Sequence, residues 1–515
     1  MDWQFDSVTG HQGHSPMYAV ILTVPRVAAL RPAAAPAIIK SILNSRNLDS
    51  KILDINLDYF TTFKQSVDPE IFTNIDEFLF VKNKTLDAEA LQRFDEFIAH
   101  WVQHIVQIAP AKLFISVFSW QAQRFVEEFL VQFRQASNIE VIVGGQGLIR
   151  EENGSFSSMP SFAHYLKQQG LIDHWIRGEA ETTIPEIIQG NYTAPGIDTD
   201  FLAPRSDVQQ HHYMDFSDFD ISRYQSGFNT GVLPMETSRG CVRNCVFCDI
   251  PTMAGGFRYK RGDQLAAEMI HYYEQYGVRN YFFHDALCNG SMRDFREFNK
   301  LLIDYYAKHN LPQRYFSYSS HAIVHGRRSF RPSDFQDMAA AGADTMVIGV
   351  ETGSDRVRAH MNKGFTTEDI DYNMEQYSKN KIQVYLLIIV GFPTETDQDF
   401  QDTLDMLTRY QRYVADGTVI GVNLGTTLTI EQGTSLYDAP EGLKIIGINN
   451  QRPQGSEWIC KDNPDLTYKK RIMRRIAAQE HAVNLGYTFW KGDDQLKIMM
   501  DRYQERLSRL AGVIH

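Results

Sequence analysis

Cysteine and long apolar runs are both scarce in this sequence of 515 residues. Its five cysteines are an odd number at low density, which argues against a disulfide framework and indicates a reducing compartment. The longest apolar runs, such as Val384–Val390, fall far short of the roughly 18–20 residues that span a bilayer. The N-terminus lacks the basic start, apolar stretch and cleavage site of a signal peptide. We therefore expect a cytoplasmic protein that has no membrane-spanning helix.

A surplus of positive charge is also missing. The formal net charge of -12 gives no electrostatic footprint for nucleic acid, so a nucleic-acid substrate is not expected. One basic stretch, Tyr468–His481, is interpreted as a helix with a solvated basic face, the alternative being a binding site for an anionic substrate or tail. The length predicts two or three domains, and the share of hydrophobic residues, 43%, is that of a globular chain.

The first part of the chain alternates short apolar runs with helical stretches. The runs are Tyr18–Val24, Ser50–Asn56, Lys112–Ser119 and Glu140–Gly147. This alternation predicts a doubly wound, Rossmann-like parallel sheet over residues 1–190. Such sheets bind ligands outside the carboxyl ends of their strands, so we expect a cofactor at that edge. The residues placed there are Ser119, Trp120, Gly144, Gly145 and Gly147.

Three further segments complete the predicted α/β architecture. Residues 191–231 are polar and irregular, which predicts an interdomain linker. Residues 232–430 alternate six apolar strands with helical stretches, which predicts a partial (β/α)6 barrel of TIM type with its chemistry at the carboxyl ends of the strands. Residues 431–515 are irregular and then helical, and they are predicted to form a small, mostly helical C-terminal cap.

The stretch METSRGCVRNCVFCDIP, residues 235–251, contains three of the five cysteines. Cys241, Cys245 and Cys248 have the spacing C-x3-C-x2-C. Structural zinc normally takes four protein ligands, and no second pair follows. A cubane cluster that only transfers electrons takes four thiolates, so three thiolates leave one iron open to another ligand. The motif therefore predicts a metal centre on these cysteines, with chemistry at the open iron.

This motif is similar to the signature of the radical S-adenosylmethionine (SAM) superfamily, in which an aromatic residue, here Phe247, often precedes the last cysteine. The resemblance implies a [4Fe-4S] cluster on the three cysteines. It also implies that the amino and carboxylate groups of SAM chelate the fourth iron. In the family, one electron from the reduced cluster cleaves SAM to methionine and a 5'-deoxyadenosyl radical.

Later blocks carry the resemblance further and stand in the family's order. Asp285 in FFHDA corresponds to the stretch that contacts the methionine moiety of SAM. Glu351 and Thr352 in GVETGSD resemble a block near the SAM ribose or amino group, with Thr352 where serine is common. Lys363 in MNKGFT and Val390 in IIVGFPTET belong to the next two blocks, and the second of these contributes backbone contacts to the adenine.

The first domain resembles the cobalamin-binding domain of one branch of this superfamily. The resemblance lies in the strands named above and in HWIRGEAETTIPEI, residues 174–187, which is similar to a closing V-x-G-E-G-E pattern. The Asp-x-His-x-x-Gly motif that supplies a histidine to cobalt is absent from the sequence. The resemblance therefore implies a cobalamin held without a protein histidine, and a sheet that binds no cofactor stays open as the alternative.

Together these resemblances imply a cobalamin-dependent radical SAM methyltransferase that acts on an unactivated carbon or phosphorus. A small-molecule or peptide substrate and a reducing partner such as flavodoxin or ferredoxin are implied with it. Without cobalamin, a radical cyclisation, rearrangement or oxidation fits the same barrel, and a non-catalytic iron-sulfur sensor is the alternative from another class. Cys288, just past the second barrel strand, is either catalytic or a buried structural thiol.

Overall fold

The computed structural model describes residues 17–25, 30–80, 84–148, 161–199, 202–210, 213–226, 229–425, 427–447, 452–456 and 458–489. The chain divides into two compact units, Met1–Gly231 and Val232–His515. Among the described residues, no helix combines the length and the apolar composition needed to cross a bilayer.

The first unit is built on a parallel sheet of five strands in the order β2-β1-β3-β4-β5. The strands are β1 (Ala19–Thr23), β2 (Ser50–Asp54), β3 (Lys112–Ser116), β4 (Glu140–Gly144) and β5 (His174–Ile176). The helices between and after them are α1 (Ala34–Asn44), α2 (Ile55–Asp58), α3 (Lys64–Ser66), α4 (Pro69–Phe80), α5 (Ala88–Ile108), α6 (Gln123–Ala136), α7 (Phe162–Gln168) and α8 (Ala180–Ile188). The strands read as continuous apolar runs because buried parallel strands are covered on both faces. The doubly wound sheet predicted from the sequence is confirmed.

The segment predicted to be a linker belongs to the first unit. Asp218 accepts hydrogen bonds from Lys40 Nζ and from the Ile52 amide (2.7 Å). Asp198 accepts from the Trp175 amide at 3.0 Å, next to the last strand of the sheet. The carboxylates of this polar segment therefore bind main-chain amides and a lysine of the first unit. A short antiparallel pair, β6 (Gln225–Ser226) and β7 (Asn229–Thr230), ends the segment.

The second unit carries a parallel sheet of six strands in the order β15-β14-β13-β12-β11-β8. These strands are β8 (Val232–Met235), β11 (Asn280–Phe283), β12 (Ser317–Ala322), β13 (Ala343–Glu351), β14 (Gln383–Ile388) and β15 (Val419–Asn423), and a small antiparallel pair, β9 (Ser238–Arg239) and β10 (Arg258–Tyr259), follows β8. The helices are α9 (Ile250–Ala254), α10 (Gly262–Tyr276), α11 (Met292–Lys308), α12 (Pro332–Ala341), α13 (Asp355–His360), α14 (Thr367–Lys379) and α15 (Asp397–Ala415). Within the described residues β8 and β15 do not pair with each other, so the barrel is partial, as predicted.

The cap consists of a short helix, a strand pair and a long helix. These are α16 (Ser435–Asp438), β16 (Ile445–Gly447), β17 (Trp458–Cys460) and α17 (Tyr468–Asn484). The basic stretch does form a helix, but its interpretation as a solvated face is wrong for Arg471, Arg474 and Arg475, which are buried. The end of the predicted cap, residues 490–515, lies outside the described residues.

Candidate active site

The three clustered cysteines lie in the loop that follows β8. Cys241, Cys245 and Cys248 are half-buried free thiols. The Cys248 amide donates to the Cys245 carbonyl at 3.1 Å, which closes a tight turn between two of the thiols. Burial raises the pKa of Cys245, and it raises the pKa of Cys248 to about 11. Buried thiols become thiolates when a metal compensates their charge, so this donor set fits an iron-sulfur centre.

The cysteine loop is bound along its length to the MNKG segment, residues 361–364. Three hydrogen bonds join them: the Val246 amide donates to the Met361 carbonyl (3.1 Å), Asn362 Nδ2 to the Asn244 carbonyl (2.8 Å) and Arg243 Nη1 to the Gly364 carbonyl (3.3 Å). On its other side, Val246 accepts from the Leu436 amide of the cap at 3.0 Å. Two blocks that are far apart in the sequence therefore hold the loop in place.

Glu351 and Lys363, both predicted to bind SAM, form an ion pair next to this loop. Lys363 Nζ lies 2.7 Å from Glu351 Oε1. Glu351 ends β13 with a left-handed backbone (φ 64°), a conformation that is strained for a residue with a side chain. The Lys363 ammonium lies 5.8 Å from the centre of the Phe247 ring. The structure therefore brings Phe247, Glu351 and Lys363 together beside the cysteines.

Asp285 anchors the start of the cysteine loop. Its Oδ2 accepts hydrogen bonds from the Thr237 amide (2.6 Å), the Ser238 amide (3.1 Å) and the Thr237 hydroxyl. Its Oδ1 is buried and has no hydrogen-bond partner among the described residues. Burial, and next the nearby Glu236 carboxylate, raise the pKa of Asp285 well above its usual range. Asp285, the residue predicted to contact SAM, thus orders the loop with one carboxylate oxygen. Its other oxygen is left for a hydrogen bond to a ligand.

Thr352 and Val390 are buried in the turns after β13 and β14. Thr352 Oγ1 lies 3.1 Å from Thr403 Oγ1 and accepts from the Ser354 amide at 3.2 Å, so its hydroxyl is used inside the protein. Val390 is also buried. The contact with adenine predicted for this block involves its backbone groups.

The predicted cofactor edge of the first sheet lies where the strand order reverses. The sheet continues from β1 to β2 on one side and from β1 to β3 on the other, and doubly wound sheets bind ligands in the crevice at such a point. Ser119 and Trp120, both half-buried, follow β3 at this crevice. Ser119 Oγ is buried and finds no hydrogen-bond partner in the described part of the chain, which fits a cofactor that supplies one.

The glycines at the end of β4 and just after it do more than leave space for a cofactor. A Cβ on Gly145 would stand 2.4 Å from the Val117 carbonyl oxygen, and one on Gly147 would stand 2.5 Å from the Ser119 carbonyl oxygen. A Cβ on Gly144 would make an ordinary contact with Ile176 at 3.6 Å. Gly145 and Gly147 therefore allow the loops after β3 and β4 to pack closely, and this packing shapes the crevice.

A family comparison decides what the barrel is. Residues 235–407 match the model of the radical SAM superfamily. The second unit contains a radical SAM domain. Such a domain implies a [4Fe-4S] cluster and SAM, and the three thiols after β8 are the residues that fit the cluster.

Curated relatives share part of the chain. Ribosomal protein uS12 methylthiotransferase RimO of Hydrogenobaculum sp. (strain Y04AAS1) is 28% identical over 180 residues, 34% of this chain and 43% of the relative. A tRNA-2-methylthio-N(6)-dimethylallyladenosine synthase of Caldicellulosiruptor saccharolyticus is 28% identical over 278 residues, 53% of this chain and 52% of the relative. The chain spans about half the length of these relatives.

Two solved structures are similar over nearly the whole chain. The radical SAM methyltransferase TsrM from Kitasatospora setae, solved with cobalamin and a [4Fe-4S] cluster, matches with a TM-score of 0.58 and 14% identity, over 90% of this chain and 89% of that one. The cobalamin-dependent SAM radical enzyme OxsB, solved with aqua-cobalamin and SAM, matches with a TM-score of 0.63 and 14% identity, over 95% of this chain and 71% of that one. At this identity the similarity shows the fold, and it includes the first sheet as well as the radical SAM domain.

The two remaining cysteines are buried. Cys288 follows β11, its amide donates to the His321 carbonyl (2.9 Å), and burial raises the pKa of its thiol to about 12. Cys460 lies in a hydrophobic cluster formed by residues of the cap and of the barrel, with Sγ 3.4 Å from the Leu443 carbonyl oxygen. Free cysteine is among the most buried residue types, and neither thiol belongs to the C-x3-C-x2-C motif, so the structural interpretation of both is favoured.

Two ion pairs of the radical SAM domain were missed in the sequence. Glu236 pairs with Arg239 at the start of the cysteine loop (2.7 Å), and the Glu-x-x-Arg spacing in METSRG is the signal that points to it. Glu395 pairs with Arg474 of α17 at 2.7 Å, across 79 residues. Both Glu395 oxygens accept from the Gly391 amide at 3.1 Å, so this pair braces the turn after Val390. No local pattern connects residues so far apart.

We predict that Asp285→Ala loosens the cysteine loop and that Asp285→Asn does not. The alanine leaves two buried amides without an acceptor, which costs about 2–4 kcal/mol in the free energy of unfolding. Asparagine keeps an oxygen for them, and because the raised pKa favours a neutral acid in the folded protein, it removes little charge. Iron bound per chain after anaerobic reconstitution measures the effect. Full iron content in Asp285→Ala would show that the loop does not depend on this anchor.

Proposed function

We propose that this protein is a cobalamin-dependent radical SAM enzyme that methylates an unactivated carbon or phosphorus atom of a small-molecule or peptide substrate. The observation that carries the proposal is the similarity to TsrM and OxsB over 90% and 95% of the chain, because it extends over the first sheet. The buried Ser119 hydroxyl, which lacks a partner among the described residues and lies at the crevice of that sheet, supports a bound cofactor there.

Several residues of the radical SAM domain have separate roles in the proposed function. Cys241, Cys245 and Cys248 would hold the cluster, which supplies the electron that cleaves SAM. The turn after Val390, braced by Glu395, offers backbone groups to the adenine. Asp285 fixes the start of the cysteine loop. These residues order the site before substrate binds, which is how a protein positions a cofactor for reaction.

In the first unit, the loops after β3 and β4 would hold cobalamin, whose methyl group is the one transferred in the proposed reaction. Ser119 supplies a hydrogen-bonding hydroxyl, and Gly145 and Gly147 allow the two loops to approach each other. A one-electron reducing partner such as flavodoxin or ferredoxin belongs to the same proposal, because the cluster must be reduced before SAM is cleaved.

Anaerobic reconstitution with iron, sulfide and hydroxocobalamin tests the proposal. After desalting, we expect near-stoichiometric cobalamin, measured by absorbance after cyanide conversion, and cleavage of SAM to 5'-deoxyadenosine under reducing conditions. Iron and SAM cleavage without retained cobalamin would overturn the methyltransferase proposal and favour a radical cyclisation, rearrangement or oxidation. Iron without SAM cleavage would favour the non-catalytic iron-sulfur protein.

We predict that Gly147→Val abolishes cobalamin retention while iron content stays that of the wild type. The new Cβ would stand 2.5 Å from the Ser119 carbonyl oxygen, so the crevice loops must separate. Gly170→Asn is the control in the same unit, because a Cβ there meets no described atom within 4 Å and asparagine tolerates the left-handed backbone of this position (φ 69°) better than most side chains. We expect the control to retain cobalamin. Equal retention by Gly147→Val and the wild type would place the cofactor elsewhere.

A further inference from the structure

A buried cation is fixed beside the cysteine loop. Lys363 lies between Asn362 and Gly364, and both of these neighbours are hydrogen-bonded to the loop. Its ammonium lies 5.8 Å from the centre of the Phe247 ring and 5.6 Å from that of Phe365. Only 11% of the Lys363 side chain is exposed to solvent. The charge is therefore held next to the stretch between Cys245 and Cys248 with little water to screen it.

The position of this ammonium is set by its partner. Lys363 Nζ lies 2.7 Å from Glu351 Oε1, and Glu351 is held by its left-handed backbone at the end of β13. A Cβ on Gly349 would stand 2.3 Å from Glu351 Oε1 and 3.2 Å from Lys363 Nζ, so the glycine leaves the space that the pair occupies. The absence of a side chain at position 349 therefore lets the pair form beside the cysteine loop.

The lysine stays charged in this place. Burial by itself lowers the pKa of Lys363, but the Glu351 carboxylate, 2.7 Å away, acts in the opposite direction, and the pKa ends above its usual value. Glu351, Cys245, Cys241 and Arg243 are the charged or titratable groups that act on these atoms from the neighbouring segments. Reduction of an iron-sulfur centre adds one electron and no proton, so the centre becomes more negative by one unit. A fixed cation stabilises that added charge.

We propose that Lys363 is a positioning residue that raises the reduction potential of the centre held by Cys241, Cys245 and Cys248, and that Glu351 lowers it. The inference rests on the proposed function, because it concerns the cluster of the radical SAM domain. It assigns to Lys363 a role in electron acceptance that is separate from contact with SAM. The electron comes from a one-electron reductant, and in the absence of SAM the centre takes it up.

A double-mutant cycle that removes the two charges of this pair, singly and together, tests the proposal in the full-length protein without SAM. It is called the charge cycle below. The midpoint potential is measured by potentiometric titration with titanium(III) citrate, followed by the electron paramagnetic resonance signal of the reduced centre. Lys363→Met should make the equilibrium constant for reduction about tenfold smaller, a fall of about 59 mV for one electron. Glu351→Gln should shift the potential in the opposite direction. Lys363→Arg and the double variant Lys363→Met/Glu351→Gln should stay near the wild type.

Lys260→Met is the matched control. Lys260 forms a pair with Glu268 at 2.6 Å in the same unit that is even more buried than the pair of Lys363. Its charge acts on Glu236 and Asp285 and is not among the largest effects on Cys245 or Cys248. Lys260→Met should destabilise the protein in the way that Lys363→Met does and leave the potential unchanged. A wild-type potential in both Lys363→Met and Glu351→Gln would overturn the proposal, and so would an equal shift in Lys260→Met.

The outcome is separable from that of the proposed function. A wild-type protein that binds no iron overturns both. A wild-type protein that binds iron, retains cobalamin and cleaves SAM, with potentials that do not respond to the charge cycle, overturns only the role of Lys363. Should Lys363→Met fail to hold the centre, Glu351→Gln and Lys363→Arg still decide, because the first must raise the potential and the second must keep it.

Discussion

Replacing Cys245 by alanine is expected to abolish both iron binding and SAM cleavage. Three thiolates are the smallest set that holds a cubane while leaving one iron open, so two cannot keep it. The loss should be complete within detection, because a step that needs the whole set fails when one member is removed. Iron and sulfide per chain, and 5'-deoxyadenosine formed under reducing conditions, are the two measurements.

Cys460→Ala is the control for this experiment. Its thiol lies in a hydrophobic cluster against which Val246 and Phe247 of the cysteine loop also pack, but Cys460 does not belong to the C-x3-C-x2-C motif. We expect wild-type iron content and SAM cleavage, with at most a modest loss of stability from the small cavity. SAM cleavage that persists in Cys245→Ala, or vanishes equally in Cys460→Ala, would contradict the assignment of the cluster to the three clustered cysteines.

Replacing Arg474 by methionine should destabilise the second unit by about 3–5 kcal/mol at alkaline pH, because the Glu395 carboxylate is left buried without its cation. Glu395 is 1% exposed. Lys470→Met is the control on the same helix. Lys470 pairs with the exposed Asp397 at 2.8 Å, a contact expected to contribute less than about 1 kcal/mol. Thermal and urea unfolding, followed by circular dichroism, compare the two variants.

The free energy of unfolding should also depend on pH because of Glu395. Burial, partly offset by Arg474, raises the pKa of Glu395 from 4.5 to about 7 in the folded protein. A carboxyl whose folded pKa is raised contributes most below its unfolded pKa, so this contribution to the free energy of unfolding falls as the pH rises from about 4.5 to about 7. Glu395→Gln should remove that slope.

Loss of Arg474 raises the pKa of Glu395 further, because the arginine is the group that lowers it. The stability difference between Arg474→Met and the wild type should therefore be small near pH 6 and grow as the pH rises above 7. A difference that is constant from pH 6 to pH 9 would mean that lost packing, and not the buried carboxylate, explains the destabilisation.

Sequence periodicity predicted both sheets because their strands are short apolar runs separated by amphipathic helices. Local physics is sufficient for such elements, since burial on both faces selects the residues of β1 and β14 directly. The C-x3-C-x2-C spacing is local as well, so the three thiols could be predicted as cluster ligands from the sequence. The solvated face predicted for α17 is wrong because polar residues need not face water, and carboxylates of the segment 191–231 are likewise bound to the first unit. Asp218 and Arg474 instead pair with groups that are distant in the sequence.

By itself, the sequence determined the two α/β architectures and the radical SAM blocks, and it predicts the cluster ligands, because each depends on patterns of residues that are close together in the chain. Only the tertiary structure decided how those blocks cooperate. It joined 361–364 to the cysteine loop, placed Lys363 against Glu351, turned Asp285 toward the loop amides and braced the turn after Val390 with Arg474. These contacts join residues from different strands and helices, and the energy of a buried charge or amide depends on which partner the fold brings within hydrogen-bond distance.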